Sequence, residues 1–116
     1  MDEILETLSH TSGIAASMIV GKDGLVISQA GRLDDIDTDL LGATASEIYQ
    51  SAESMMGEKF NRGALEGLMV EANGGKFMIN SINDEVFLLV MCKKKLNLGL
   101  ARWEVSSAAG KLKEEI

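Results

Sequence analysis

Apolar positions along the chain recur with two different periods, and each switch of period marks a new element. Asp2 to His10 places Ile4, Leu5 and Leu8 at helical spacing, and Thr11-Ser12-Gly13 breaks the pattern. Ile14 to Val20 reads as a strand of small and branched residues. In Gly21-Lys22-Asp23-Gly24 the Asp-Gly pair suits the positive φ angles of a tight hairpin, so Leu25 to Ala30 returns as the second strand. After the acidic run Asp34 to Asp37, either Asp37 or Thr38 can cap a helix, and Asp39 in its first turn complements the macrodipole. From Asp39 to about Met56 the positions Leu41, Ala45, Ile48, Ala52 and Met55 step by four and three, predicting one helical stripe that ends at Gly57. Leu65 to Ala72, Lys76 to Ile82 and Val86 to Cys92 follow as three strands, separated by the turn signals Asn73-Gly74-Gly75 and Asn83-Asp84. After Asn97 a last helix is predicted from about Leu98 to Glu115, with Ala101, Val105, Ala108, Leu112 and Ile116 on one face.

The predicted order is therefore α-β-β-α-β-β-β-α, an α+β fold whose hairpin-length connections make the strand pairs antiparallel. Val86-Phe87-Leu88-Leu89-Val90-Met91 is apolar without alternation, the mark of a strand buried on both sides in mid-sheet with helices on both faces. The first strand is nearly as apolar. Joining the hairpin to the meander through these two gives a five-stranded sheet in the order 2-1-5-4-3, with Leu65 to Ala72 at an edge. That edge carries Leu65, Leu68, Met69 and Val70 and no proline or lysine to blunt it. Either it pairs with its own copy in an isologous contact, or the preceding loop, Glu58 to Gly63, covers it. Leu40, Thr44, Tyr49 and Met56 fall partly outside the central helix's stripe. They either widen its core face or, with Ala52, pack against the same helix of a second copy.

Length and composition change little in this picture. A chain of 116 residues, 46% hydrophobic and 25% charged, suits one domain spanning 1–116. The net charge of -7 argues against a nucleic-acid or anionic-membrane partner, and Lys93-Lys94-Lys95 reads as a solvated loop. Cys92 is the only cysteine, which suits a reducing compartment, and the acidic Met1-Asp2-Glu3 start is unlike a signal peptide. No apolar run is long enough for membrane insertion. The expected location is the cytoplasm.

Candidate chemistry is sparse. His10, the only histidine, sits at a helix end and has no recognised zinc spacing with Cys92. No Gly-Lys-Ser/Thr or GxGxxG pattern makes a phosphate loop. Asp34, Asp35, Asp37 and Asp39 lack the glycine and closing glutamate of a calcium loop. Arg32, Arg62 and Arg102 are the arginines available as a transition-state finger, Arg62 lying in a polar loop. The expectation is a non-catalytic chain with no cofactor and no metal. Trp103 points away from the apolar stripe of its helix, which suits either a partner contact or folding against Leu96 or Leu100.

The element order, with Gly21-Lys22-Asp23-Gly24-Leu25-Val26-Ile27 in the first hairpin, Met69-Val70-Glu71 in the third strand and Asn97-Leu98-Gly99-Leu100-Ala101-Arg102 opening the last helix, resembles the Roadblock/dynein-light-chain family over essentially the whole chain. The resemblance implies a homodimer formed through the third strand and second helix, here Leu65, Leu68, Met69, Val70, Tyr49, Ala52 and Met56. It also implies a small Ras-like GTPase as partner, contacted by the two paired central helices, as in the bacterial gliding-polarity type. Carried onto this sequence, the contact residues are Glu47, Gln50, Ser51 and Ser54. The chain is expected to lack the C-terminal extension of that type, and Trp103 is a departure from the pattern. Two other readings stand beside this one: a structural adaptor subunit of a larger motor or scaffold, independent of any GTPase, and a small-molecule sensor domain.

Overall fold

The computed structural model describes residues 1–116. Two layers of helix enclose one antiparallel sheet. The elements are α1 (Asp2–Ser9), β1 (Ile14–Gly21), β2 (Val26–Gly31), α2 (Thr38–Ser54), β3 (Gly67–Ala72), β4 (Gly75–Ser81), β5 (Val86–Cys92) and α3 (Leu98–Glu115). The strand order is β2-β1-β5-β4-β3, as the apolar runs predict. β5 is central because every residue from Val86 to Val90 is buried, and a strand at an edge could not hide both faces.

Alternation along β5 divides the core. Leu88, Val90 and Cys92 face α1 and α3 in one cluster with Leu5, Leu8, Val105 and Leu112. Phe87 and Leu89 face α2 in the other, with Met18, Val20, Ile79 and Tyr49. Burial raises the pKa of the Cys92 thiol, with Lys76 pulling weakly the other way, so it packs as a small hydrophobe.

Local signals explain the element ends. Asp37 caps α2, its carboxylate accepting from the backbone N–H of Asp39 at 3.0 Å and of Leu40 at 3.2 Å. Asn97 caps α3 by accepting from Leu100 N–H at 3.1 Å. His10 closes α1, its ring Nδ1 lying 2.7 Å from the Glu6 carbonyl.

Two boundaries differ from the sequence reading. The central helix does not stop at Gly57 but widens into a π-helical turn over Met55–Lys59. β3 starts at Gly67 rather than at Leu65. Positive φ angles at Asn61 and Gly63 bend the chain there, and Leu65 tucks into the core cluster under α2. Leu65 is 8% exposed and packs in the core of the single chain, ahead of the strand.

Candidate interaction face

α2 is the element on which the predicted contacts converge, and its orientation follows from how the β1–β2 turn grips it. The turn's Lys22 carbonyl accepts hydrogen bonds from Ser46 Oγ and, at 2.6 Å, from Gln50 Nε2. The Lys22 ammonium reaches along the helix to Glu53 at 2.8 Å and lies 5.4 Å from the centre of the Tyr49 ring. Burial acts to lower the Lys22 pKa. The hydrogen bond and charge of Glu53, aided by Tyr49 and Asp84, more than offset it and leave the ammonium above its ordinary value. Glycines make the approach possible. A Cβ on Gly42 would lie 2.9 Å from both the Gly24 carbonyl and Val26 Cγ2, and one on Gly24 would meet Ala43 Cα at 3.1 Å.

This grip rolls α2 relative to the stripe expected from hydrophobicity alone. The buried residues are Gly42, Ala45, Ser46 and Tyr49. Tyr49 is 1% exposed and stacks flat on Phe87, with ring centroids 4.8 Å apart, so in the single chain it lies in the core. Ala52 and Met56 are half-buried against the same cluster. Of the residues expected to face the sheet, Ala45 is buried and Leu41 and Ala52 are half-buried against the cluster, but Ile48 and Met55 lie on the exposed flank of the helix, as does Leu40 from outside that stripe. Ile48 is 38% and Met55 44% exposed, and Leu40 is 64% exposed.

That flank borders the open end of the sheet. Val70 of β3 and Phe77 of β4 form, with Leu41, Thr44 and Ile48 of α2, a cleft of about 190 Å³ lined almost wholly by apolar side chains. β3 pairs only with β4 and is the sheet edge, four of its six residues being exposed. The loop Glu58 to Gly63 is itself exposed throughout, with Phe60 pointing outward, and does not bury the strand. Leu68 and Val70 face the α2 side, whereas Met69 packs against the α1 and α3 cluster.

The four residues expected to meet a partner separate. Glu47 and Ser51 are exposed and Ser54 is half-exposed, its hydroxyl 3.3 Å from Glu58. Gln50 is engaged with Lys22 and serves the grip on the turn. The signal for that role was legible in Gly42, Ser46 and Gln50, a four-residue repeat of small and amide side chains along one side of the helix.

Elsewhere, no group of three or more His, Cys, Asp or Glu residues is disposed to hold a metal ion. Arg62 is exposed in the loop after α2. Trp103 is 65% exposed beside the exposed Leu100, so it does not fold down against the helix start. No helix is long and apolar enough to cross a membrane.

Residues 1–91 match the family model of the Roadblock/LC7 domain. Among curated proteins, the uncharacterised protein MJ0310 of Methanocaldococcus jannaschii is 40% identical over 114 residues, which cover 97% of this chain and 96% of that one. Among solved structures, a Roadblock/LC7 domain from Streptomyces avermitilis superposes with a TM-score of 0.87 at 20% identity, over 99% of this chain and 96% of the other. Myxococcus xanthus MglB superposes with a TM-score of 0.89 at 20% identity, over 98% and 92%.

Proposed function

The chain belongs to the Roadblock/LC7 domain family, and we propose that it is a homodimeric protein-binding module serving a small Ras-like GTPase as regulator or platform. The observation that carries this reading is the apolar flank of α2 beside the bare edge of β3. Ile48 and Val70 are exposed and line one apolar cleft, with Leu40 and Met55 exposed toward the two ends of the helix. A second copy brought up edge to edge would extend the sheet from five strands to ten and lay the two α2 flanks together by the same twofold axis. Leu68, Met69 and Val70 then lie at the pairing strand, with Ile48, Ala52 and Met55 between the helices.

Pairing would also place the outer faces of both α2 helices side by side. Asp39, Glu47, Gln50, Ser51 and Ser54 are polar groups on the open side of α2, which itself carries no lysine or arginine. The layer is thus acidic and suits a partner that presents basic residues. Its part is contact, with the hydrolytic groups supplied by the GTPase. The site of action is the cytoplasm, as the single buried cysteine and acidic chain suggest.

The test is affinity capture of native lysate on the tagged protein, with a non-hydrolysable GTP analogue or with GDP. Retention of a Ras-like protein with one nucleotide only supports the reading. Partners that ignore nucleotide would replace it with the adaptor role.

A further inference from the structure

Trp103 stands on the outer side of α3. At about 100° per residue it lies opposite the buried line of Ala101, Val105, Ala108 and Leu112. It is 65% exposed, and Leu100, one turn before it, is 45% exposed. A large aromatic ring with an aliphatic neighbour is a poor thing to leave in water and a common centre of protein contacts. Seven positions on, along the same outer line, is Gly110, where an added Cβ would meet nothing within 4 Å. Glycine inside a helix is costly relative to alanine, and no close approach within the chain requires this one.

Charge is arranged about the same centre. Glu104 and Lys111 lie on the flank of α3 that faces α1, where Glu3 adds a second carboxylate. Neither Glu104 nor Lys111 takes part in an ion pair of the single chain. The midpoint of Glu104 and Lys111 falls within one residue of the midpoint of Trp103 and Gly110. The two ends of the helix also differ in sign: the exposed Lys93, Lys94 and Lys95 precede it, and the exposed Glu114 closes its outer line.

We propose that this face of α3 binds the same face of a second copy, the two helices antiparallel about a twofold axis that passes between Ser106 and Ser107. Each Trp103 then lies over Gly110 of the other copy, a ring on a bare backbone. In an antiparallel twofold pair like flanks meet, so Glu104 of each copy comes beside Lys111 of the other. Glu114 reaches the first turn of the opposite α3, where free N–H groups and the three lysines favour a carboxylate. Arg102 and Lys113 stand about a quarter turn from the contact line and stay in water. A single axis satisfies all three matches, which is the argument for a second copy as the occupant. The face lies across the sheet from α2, so this contact is independent of pairing through β3 and can join such pairs into a larger assembly.

Trp103 is the only tryptophan, so its fluorescence reads the contact directly. The experiment is a concentration series of the full-length Ile48→Glu chain, in which pairing through α2 is disabled, followed by tryptophan emission, acrylamide quenching and sedimentation. The expected result is a monomer–dimer transition in which emission moves to shorter wavelength and quenching falls. Glu104→Lys and Lys111→Glu should each raise the dissociation constant about tenfold, by turning two attractive pairs into two repulsive ones, and both changes together should restore it. Gly110→Leu fills the seat of the ring from an exposed position. It should abolish the transition while the melting temperature of the dilute chain does not fall. A tryptophan that stays in water at every concentration overturns the proposal, as does a dimer indifferent to the charge exchange. Burial of Trp103 on vesicles of anionic lipid, with none at high protein concentration, would give the face to a membrane surface and overturn it as well. Pairing through α2 is judged separately, by the difference in mass between the parent and Ile48→Glu.

Discussion

Ile48→Glu tests the pairing of two copies where it depends most on α2. Ile48 is 38% exposed in the single chain, so a carboxylate there can reach water and the isolated fold should lose little stability. In a pair the position changes character. The exposed fractions of Leu40, Ile48, Met55 and Val70 amount to about 1.8 side chains per copy. At roughly 1.5–3 kcal/mol for each fully buried side chain, their removal from water contributes about 3–5 kcal/mol per copy, and the twofold axis counts it twice. Association costs on the order of 4–15 kcal/mol in lost freedom, so this flank decides whether a dimer persists.

Ile48→Ala removes roughly 1 kcal/mol per copy and should raise the dimer dissociation constant about thirtyfold. Ile48→Glu adds two facing carboxylates in an apolar seam, several kcal/mol of desolvation and like-charge repulsion, and should raise it more than about a thousandfold. Light scattering coupled to gel filtration over a dilution series reads both, with circular dichroism as the check on fold. Leu25→Glu, at an exposed position beside the opposite edge strand, is the control that should leave mass unchanged. A parent chain that stays monomeric when concentrated, or an Ile48→Glu variant with the parent's dimer mass, refutes the reasoning.

Four further outcomes follow from the packing of the helices. Gly42→Ala should lower the urea midpoint even though alanine is the better helix former: the gain is about 1 kcal/mol, against roughly 1–3 kcal/mol for forcing a methyl within 2.9 Å of the Gly24 carbonyl and Val26. Gly110→Ala, with nothing within 4 Å of the new methyl, should raise the unfolding free energy by about 0.5–1 kcal/mol in the same experiment. Tyr49→Ala removes a ring stacked on Phe87 and should cost about 3–5 kcal/mol on denaturation, far more than an interface position would lose in the monomer. Because the Lys22 pKa is raised by folding, the stability it contributes is fully present below the ordinary lysine value of 10.5 and falls as pH rises through the higher folded value. Parent and Lys22→Met should therefore converge in stability at strongly alkaline pH, and a gap that persists there would count against the Glu53 contact as its source.

The sheet was legible because its signals are redundant. The unbroken apolar run of β5, the Asp-Gly turn and the closely spaced meander each allow one arrangement, and the bounds of β5 and α3 fall where the periods place them. α2 was legible as a helix but not in its rotation. Two overlapping stripes were available, one centred on Ile48 and Met55 and one through Gly42, Ser46 and Tyr49, with Leu41, Ala45 and Ala52 packing in either case, and hydrophobicity favours the first. The structure takes the second because contact with the β1–β2 turn needs small residues and hydrogen-bond donors, which a scale of apolarity counts as surface. Leu65 was misplaced for a similar reason. Its apolar side chain extends the strand pattern, but the positive φ angles at Asn61 and Gly63 that turn it inward leave only a weak trace in sequence.

The rotation of α2 ties fold to function. Had Ile48 and Met55 faced the sheet, Tyr49 would have been left in water and the helix would have had no apolar flank to offer. Instead the Lys22 turn, held by Ser46, Gln50 and Glu53, secures one side of the helix to its own domain and leaves the other side apolar beside an open strand edge. The same hairpin contact that completes one fold therefore orients the surface through which two copies would join. This makes a specific link between distant positions: weakening the grip at Gln50 or Glu53 lets α2 roll, and the flank at Ile48 loses its register with Val70. Gln50→Ala, which touches no residue of the apolar cleft, should for that reason weaken pairing measurably while leaving most of the stability of the single chain intact.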